Sequence, residues 1–329
     1  MTEISYAEAT RQAMEEEMER DEMVFLLGED IAKQGGIFGQ FKGLTERFGT
    51  ERVKDTPISE AVLVSSSLGA ALVGGRPVLD IHFADFLACG MDEIVNQAAK
   101  ARYMSGGQVD VPLVIRAPDG AIRSAGAQHS QSPEAWFVHT PGLHVVAPST
   151  PADAKGLLKS AIRSNDPVLY FEHKALYTTK GEVPPGEHLV PIGSARVSRP
   201  GTDVTLISWS LTHQKALAAA EQLSDQEIDV EVVDLRSLSP VDWEAVLASV
   251  SKTRLAVVAH EAPVTGGLGA ELAARITEEL FSELAGPVRR LGNPDVPLPF
   301  APELENAAVP QVADIVELVR SAVQEARRD

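Results

Sequence analysis

The sequence predicts an α/β protein with two doubly wound α/β domains, and two observations support this prediction. Short apolar runs, of the kind that parallel sheets bury on both faces, alternate with longer stretches of helical periodicity. Such alternation is typical of doubly wound sheets. It is interrupted once, over residues 181–201, by a stretch that carries prolines and glycines. We therefore predict a first domain over residues 1–185, a linker over 186–202 and a second domain over 203–329.

The first domain is predicted from five apolar runs and two long helical stretches between them. The helical stretches cover residues 86–104 and 150–164, and the second opens with Thr150-Pro151, residues that favour a helix start. The apolar runs, each predicted to be a buried strand, are 24–28, 77–81, 111–116, 144–147 and 168–172.

The second domain is predicted from the same alternation, which resumes after the linker. The predicted strands are 204–209, 230–235 and 255–260. The predicted helices are 212–223, 241–250, 269–284 and 310–327. The last helix carries valine and isoleucine at helical spacing, which predicts one apolar face packed on the domain.

The composition is that of a globular protein without a nucleic-acid surface or a membrane span. Apolar residues make up 44% and charged residues 23%, as in ordinary soluble domains. The formal net charge of -18 opposes binding to nucleic acid. No apolar run approaches the ~20 residues that a membrane helix needs. Acidic clusters such as residues 15–17 predict solvated helix faces, and the alternative is a docking surface for a basic partner segment.

The single cysteine and the N-terminal segment bear on the compartment. Cys89 alone excludes an intrachain disulfide and a cysteine metal site, and we predict a small buried thiol there. The first residues, MTEISYAEA, lead directly into an amphipathic helix without a basic, hydrophobic leader. We therefore expect a reducing, bacterial cytoplasm.

The hexapeptide DTPISE, residues 55–60, places a carboxylate where a predicted strand, 52–54, gives way to an apolar helix, 61–73. Thr56 before a proline predicts the helix start, because the first turn leaves the missing N–H unpaired in any case. From its position alone, Glu60 is a residue that interacts favourably with the helix dipole. A second interpretation depends on the segments that accompany it.

Four downstream segments carry a family resemblance: YMSGGQ at 103–108, AQHSQSPEAWFVHTPGL at 127–143, PSTPADAKGLL at 148–158 and VVDLRSLSP at 232–240. In this order and spacing they resemble the beta subunit of the thiamine-diphosphate-dependent decarboxylating component of 2-oxo acid dehydrogenase complexes. Pyruvate, branched-chain 2-oxo acid and acetoin dehydrogenases carry such a subunit. The resemblance covers nearly the whole chain and implies a transketolase-like pyrimidine-binding domain followed by a transketolase C-terminal domain.

A motif that thiamine enzymes need is missing from this chain. The family holds the cofactor diphosphate through Mg2+ at a Gly-Asp-Gly motif, which the sequence lacks. Its glycine pairs do not have phosphate-loop spacing, so we predict turns and helix ends there. The resemblance therefore implies an alpha subunit that holds Mg2+ and the diphosphate, in an alpha2beta2 heterotetramer with the cofactor at the alpha/beta interface.

Glu60 and Phe86 are the predicted cofactor-binding residues. By resemblance, Glu60 matches the glutamate that activates the cofactor by hydrogen bonding to its aminopyrimidine ring nitrogen, while the cofactor is the electron sink. Phe86 matches the aromatic residue that packs against the aminopyrimidine. From the sequence alone, Phe86 is an ordinary core aromatic residue at a helix start.

His129 is the second predicted catalytic residue. It lies in the polar loop QHSQ, residues 128–131, where an imidazole can donate or accept a proton. From the sequence alone it could equally brace the loop. By resemblance it lines the channel and assists transfer of the acyl group to a lipoyl sulfur. His139, at a predicted helix end, is not included among the catalytic residues.

A potassium site is also implied by the resemblance, through backbone carbonyls. The residues assigned to it are Leu113, Ala161, Ile162, Ser164 and Asp166. Ser164 and Asp166 depart from the residues common in the family, although backbone ligation tolerates this. A plain turn from helix to strand is the alternative.

The resemblance implies an oxidoreductase that is active only with its alpha subunit. It would decarboxylate a 2-oxo acid, pyruvate or a branched-chain one, and reductively acylate the lipoyl groups of an acyltransferase core. Different segments of the sequence are most similar to different members of the family. The identity of the acyl group is therefore not predicted. One alternative is the beta subunit of acetoin dehydrogenase, and another is a subunit that acts mainly in assembly and docking.

Overall fold

The computed structural model describes residues 1–328 and divides them into two compact units. The first unit contains residues 1–120 and 136–192, and the second contains residues 121–135 and the chain from residue 193 on. The predicted linker differs from this division, because Arg196–Arg199 forms a strand of the second unit. The inserted segment 121–135, which carries His129, was not foreseen as part of the second unit.

Six strands of the first unit form one parallel sheet in the order β6-β7-β5-β4-β2-β3, and β1 pairs with β8 in an antiparallel ribbon. The five predicted strands are present within a few residues of their predicted ends. The strands are β1 Thr2–Ser5, β2 Val24–Gly28, β3 Val53–Asp55, β4 Arg76–Asp80, β5 Val114–Asp119, β6 His144–Val146, β7 Val168–His173 and β8 Lys180–Val183.

Helices cover both faces of this sheet. The α-helices are α1 Tyr6–Arg20, α2 Leu44–Phe48, α3 Glu60–Leu72, α4 Ala99–Met104, α5 Glu134–Val138 and α6 Pro151–Arg163. Helix α6 begins as predicted, with the Thr150 hydroxyl accepting a hydrogen bond from the Asp153 N–H at 3.1 Å. Helix α3 begins at Glu60, four residues after Thr56, because the Thr56 N–H still donates to Gly28 O at the sheet edge, 3.0 Å away.

The predicted helix over 86–104 is wrong as a single element. A 3-10 helix, Ala84–Gly90, and a π-helical segment, Glu93–Ala98, precede α4. Gly90 packs tightly on α3, since a Cβ there would lie 3.0 Å from the Val64 side chain. The prediction of a buried Cys89 is also wrong: the thiol is exposed on the outer side of the 3-10 helix.

The core of the first unit contains a charged network that the apolar pattern does not reveal. Arg116 on β5 donates to Asp80 Oδ1 at 2.7 Å and also to Glu172 Oε2. All three side chains are fully buried, and the guanidinium lies 4.6 Å from the centre of the Phe41 ring. Thr10 donates to the other Glu172 oxygen at 2.9 Å. Burial raises the pKa of Asp80 and of Glu172, and the Arg116 charge opposes that rise.

The second unit has its own sheet, in the order β14-β13-β10-β11-β9, with only β9 antiparallel to its neighbour. The strands are β9 Arg196–Arg199, β10 Val204–Ser208, β11 Val230–Asp234, β12 Ser237–Ser239, β13 Ala256–Pro263 and β14 Arg289–Asn293. The helices are α7 Ser210–Ser224, α8 Trp243–Thr253, α9 Leu268–Leu280, α10 Pro302–Ala308 and α11 Val312–Ala326. The valine and isoleucine face of α11 is buried against α7 and the sheet, as predicted.

Among the described residues, no helix combines the length and the apolar character that crossing a bilayer requires.

Candidate active site

The first unit places its candidate residues at one edge of the parallel sheet. From β2 the chain passes to β3 on one side, and the following strand, β4, returns to the other side. In doubly wound sheets ligands bind outside the carboxyl ends of the strands, where the strand order changes direction. Glu29 follows β2, Glu60 follows β3, and both His82 and Phe86 follow β4. The predicted pair Glu60 and Phe86 therefore lies at the edge where a ligand is expected.

Glu60 is the first residue of α3 and is half-buried. Ser59, in extended conformation, precedes it, and the Leu63 N–H donates to Ser59 O at 2.9 Å. A carboxylate in the first turn interacts favourably with the helix dipole. In the segment that leads to Glu60, the buried Thr56 hydroxyl has no hydrogen-bond partner within residues 1–328. A buried polar atom of this kind fits a site that a polar ligand completes.

Phe86 lies on the 3-10 helix Ala84–Gly90 and is half-buried. Its ring meets the Phe83 ring edge to face, with 5.8 Å between centroids. The same 3-10 helix contacts the start of α3, since a Cβ on Gly90 would lie 3.4 Å from Glu60 O. The structure thus brings the elements that carry Glu60 and Phe86 into contact, with an aromatic ring and a carboxyl at one edge.

Glu29 and His82 belong to this edge, and sequence reasoning missed them. His82 Nε2 lies 2.9 Å from Glu29 O, and His82 Nδ1 lies 3.4 Å from Glu29 Oε2. Burial raises the pKa of Glu29; the nearby His82 lowers it, and the negative charge of Glu60 raises it again. The signal in the sequence was that Glu29 directly follows β2 and that His82 lies two residues after the end of β4.

His129 lies in the second unit, whereas Glu60 and Phe86 lie in the first. It is half-buried, in the loop before α5, and its backbone N–H donates to the backbone carbonyl of Gly126 at 3.2 Å. The predicted position in a loop ahead of a helix is confirmed. The loop belongs to the unit that contains the C-terminal sheet.

A cluster of buried titratable groups adjoins this loop within the second unit. Trp209 Nε1 donates to Glu134 Oε1 at 3.2 Å, and the Trp209 ring stacks on His260 with 5.2 Å between centroids. His260 Nδ1 accepts a hydrogen bond from the Ala262 N–H at 3.2 Å. Burial raises the pKa of Glu134 to about 7 and lowers the pKa of His260 to about 4. Both groups therefore favour their uncharged forms, and nothing in the sequence pattern had marked either.

The loop proposed for potassium is already bound to a cation of the protein. Arg76 Nη1 donates to the backbone carbonyls of Ile162 and Ser164, at 3.0 and 3.1 Å. Arg76 Nη2 donates to the Asn165 side chain at 2.7 Å. Two of the five predicted carbonyl ligands thus contact a guanidinium.

The other three predicted carbonyls accept hydrogen bonds within the same region. Leu113 O accepts from the Val168 N–H at 2.9 Å, and Ala161 O accepts from the Ser164 N–H at 3.1 Å. Asp166 O accepts from the Ser164 hydroxyl at 3.2 Å. A carbonyl oxygen has a second lone pair, so these bonds leave room for a further ligand at each.

The glycine pairs are turns, as predicted. Gly35 and Gly36, Gly106 and Gly107, and also Gly266 have positive φ, which glycine adopts at no steric cost. Within residues 1–328, no three histidine, cysteine or acidic side chains are grouped so that they could hold a metal ion.

Two family descriptions match this chain. Residues 2–180 match the transketolase pyrimidine-binding domain, and residues 193–315 match the transketolase C-terminal domain. In structure the chain is similar to a protein described as "Split gene transketolase, inactive beta4 tetramer", with a TM-score of 0.81 and 26% identity over 98% of this chain and 99% of that one.

Curated relatives are similar over nearly the full length. The chain is 46% identical to the 2-oxoisovalerate dehydrogenase subunit beta of Bacillus subtilis, over 93% of this chain and 94% of the relative. It is 43% identical to the pyruvate dehydrogenase E1 component subunit beta of Rhizobium meliloti, over 98% of this chain and 70% of the relative. Identity is also 43% to the acetoin:2,6-dichlorophenolindophenol oxidoreductase subunit beta of Cupriavidus necator, over 96% of both chains.

The two domain matches, the shared fold and these identities together show the family of this chain. The chain belongs to the transketolase-like family of thiamine-diphosphate-dependent 2-oxo acid dehydrogenase beta subunits.

Proposed function

We propose that this chain, together with an alpha subunit, decarboxylates a 2-oxo acid on thiamine diphosphate and passes the acyl group to a lipoyl group. The observation that carries the proposal is Glu60 at the carboxyl end of β3, on an element in contact with the one that bears Phe86. Sequence identities of 43% to 46% to beta subunits of 2-oxo acid and acetoin dehydrogenases, over nearly the whole of this chain, support the proposal.

The residues at this edge fit the ring end of the cofactor. Thiamine diphosphate, when bound, supplies an electron sink for decarboxylation. Glu60 would hold a proton on its carboxyl and share it with a ring nitrogen of the ligand. Phe86 would pack its ring against the ligand and exclude water from that side. The Thr56 hydroxyl, which has no protein partner within residues 1–328, is available to a polar ligand atom.

His129 would serve the transfer to the lipoyl group. In that transfer the electron pair left by decarboxylation reduces the lipoyl disulfide. One lipoyl sulfur would bond to the acyl carbon as the S–S bond breaks, and the other sulfur would take up a proton. The acyl carbon would leave the cofactor as its hydroxyl gives up a proton. An imidazole can deliver the proton to the sulfur near neutral pH. The half-buried position of His129 in a polar loop suits this role.

The alpha subunit would supply Mg2+ and the diphosphate site, since this sequence has no Gly-Asp-Gly motif. We infer an alpha2beta2 heterotetramer that works with a lipoylated acyltransferase core. The net charge of -18 would steer a basic docking segment of that core toward the protein.

A potassium ion would bind at the second lone pairs of the carbonyls at the end of α6, where the helix dipole favours a cation. The Arg76 contacts to Ile162 and Ser164 limit this fit to the remaining faces of those oxygens. Bound potassium would raise the melting temperature in KCl above that in LiCl of equal ionic strength. Equal melting temperatures in the two salts would contradict the site.

The acyl group is proposed to be that of pyruvate or a branched-chain 2-oxo acid. Identities of 46% and 43% to the two kinds of relative do not separate them, and the acetoin enzyme is equally similar at 43%. The experiment is turnover of pyruvate, 3-methyl-2-oxobutanoate and acetoin with a dye acceptor. It is run with this chain alone and with the chain assembled with its alpha subunit.

We expect turnover only in the assembled protein, and the fastest substrate identifies the subfamily. Glu60→Gln should lower turnover by about 100-fold or more, because the variant cannot exchange a proton at that atom. Glu51→Gln, at a side chain that is 95% exposed, is the matched control and should leave turnover unchanged. Unchanged turnover in an assembled Glu60→Gln protein would favour the assembly and docking role instead.

A further inference from the structure

The loop that carries His129 contains two consecutive residues in an unusual backbone conformation. Arg123 has φ 43° and Ser124 has φ 63°, both in the left-handed region that non-glycine residues rarely adopt. Strained backbone of this kind persists only where the surrounding structure holds it. The structure of the second unit shows which group holds it.

Glu305 binds the backbone at this point. The Ser124 N–H donates to both carboxylate oxygens of Glu305, at 3.2 and 3.0 Å. Glu305 lies on α10 and is only 7% exposed, so water competes little for the contact. A hydrogen bond from a backbone N–H to a buried carboxylate is charge-assisted and therefore stronger than a neutral one.

The loop is anchored on both sides of His129. Before the strained turn, the Ala121 N–H donates to Glu261 Oε1 at 2.6 Å. After the histidine, Trp209 Nε1 donates to Glu134 Oε1 at 3.2 Å. In sequence, His129 lies midway between Ser124 and Glu134, so it belongs to the segment that these two contacts hold.

We propose that Glu305 is a positioning residue for His129. It holds the left-handed turn at Arg123 and Ser124, and thereby presents the imidazole in the orientation that acyl transfer to the lipoyl group requires. This inference rests on the proposed function, in which His129 delivers the proton to the lipoyl sulfur. Glu305 touches neither substrate nor cofactor in this role.

The test compares two activities of the protein assembled with its alpha subunit. Dye reduction follows decarboxylation alone, whereas reductive acylation of a lipoylated acyltransferase domain also needs the transfer step. In Glu305→Ala we expect kcat for acylation to fall about 10- to 100-fold, because small misplacements of a reacting group have effects of this size. The KM for the lipoyl domain and the rate of dye reduction should stay unchanged. Glu303→Ala, which removes an exposed charge from the same helix, is the matched control and should change neither activity.

Rescue by glycine tests whether the left-handed turn is the feature that Glu305 holds, while the comparison of acylation with dye reduction separates positioning from general stability. Glycine adopts positive φ without strain, so Ser124→Gly should lower the cost of the turn when the carboxylate is absent. Adding Ser124→Gly to Glu305→Ala should restore most of the lost acylation rate. Hydrogen exchange gives a readout independent of activity: the amides of residues 121–133 should exchange faster in Glu305→Ala than in the wild type, and those in Glu303→Ala should not.

Three results would overturn the inference: unchanged acylation in Glu305→Ala, equal loss of both activities, or no rescue by Ser124→Gly. If Glu305→Ala does not assemble, the same comparison uses Glu305→Gln, which keeps the shape but replaces one acceptor oxygen by a donor. A failure of the proposed function is distinguishable, because His129→Ala would then acylate the lipoyl domain at the wild-type rate.

Discussion

Two groups of buried titratable side chains, one in each unit, are held in opposite ways. In the first, Arg116 lies between Asp80 and Glu172, and all three side chains are fully buried. In the second, Glu134 and His260 both contact Trp209. Within residues 1–328, neither Glu134 nor His260 has an ion-pair partner.

The difference shows that the presence of an ion-pair partner determines the charge state of a buried group. A buried cation between two carboxyls stays charged, and its charge opposes the rise that burial causes in the pKa of each carboxyl. Without such a partner, burial is the largest influence, so the pKa of Glu134 rises to about 7 and the pKa of His260 falls to about 4. The first arrangement keeps the arginine charged. The second contains groups whose protonation changes near pH 7 and near pH 4.

The largest expected effect comes from breaking the paired arrangement. Arg116→Met would leave two buried carboxyls without their cation and lower the free energy of unfolding by about 3–5 kcal/mol. Thermal and urea unfolding of the assembled protein would measure it. A loss below about 1 kcal/mol would mean that the network contributes little and that the contrast between the units is wrong.

The next effect is a pH dependence that Glu134 gives to the second unit. Its folded pKa of about 7 lies above its ordinary value of 4.5, so its stabilising contribution is complete below pH 4.5 and disappears as the pH rises through 7. Across this window the contribution changes by about 3 kcal/mol. The difference in unfolding free energy between Glu134→Gln and wild type should follow this course. Glu244→Gln, on an exposed face of α8, should show no such trend.

His260 should give a trend of the opposite sign. Its folded pKa of about 4 lies below its ordinary value of 6.5, so its contribution is complete above pH 6.5 and is lost as the pH falls toward 4. Between pH 6.5 and 5 the loss is about 2 kcal/mol. The His260→Asn variant has no titratable group at this position. Its unfolding curves should therefore lack this acid sensitivity. An unchanged acid slope would show that His260 is not the group responsible.

The smallest effect sets the scale for the other three. Arg320 pairs with Glu317 on α11 at 2.6 Å, with 34% and 71% of the two side chains exposed, and Arg320 Nε also donates to Gln226 Oε1 at 2.9 Å. Arg320→Met should change the free energy of unfolding by less than about 0.5 kcal/mol, because exposed ion pairs are weak. A change as large as that of Arg116→Met would remove burial as the explanation of the contrast.

Local sequence signals predicted most of the elements that position the site, but not the 3-10 helix that carries Phe86 and not the long-range contacts. Alternating apolar runs predicted the sheets, and the strand-to-helix step at residues 55–60 predicted the place of Glu60. The pairing of Arg116 with Asp80 and Glu172 joins three strands far apart in sequence, so no local period reveals it. The exposed thiol of Cys89 lies in the 3-10 helix Ala84–Gly90, where the sequence pattern had predicted one continuous helix.

The roles of Glu60, Phe86 and His129, and the potassium ligands, stay predictions until the variants are measured. What the structure adds is their surroundings. Glu29 and His82 beside Glu60 came from strands whose carboxyl ends meet, a relation that only the strand order discloses. The sheet order, rather than any sequence motif, therefore places Glu29 and His82 at the same edge as Glu60.

Residues 121–135 belong to the second unit although residues of the first unit flank them on both sides, and this has a consequence for chimeric enzymes. A recombinant that exchanges everything after residue 192 between two relatives would leave Ala121 and Ser124 from one parent facing Glu261 and Glu305 from the other. The natural unit of exchange is thus discontinuous in the gene. Shuffling libraries built with two crossovers around this segment, plus one at residue 192, should yield more folded and active hybrids than libraries with the single cut.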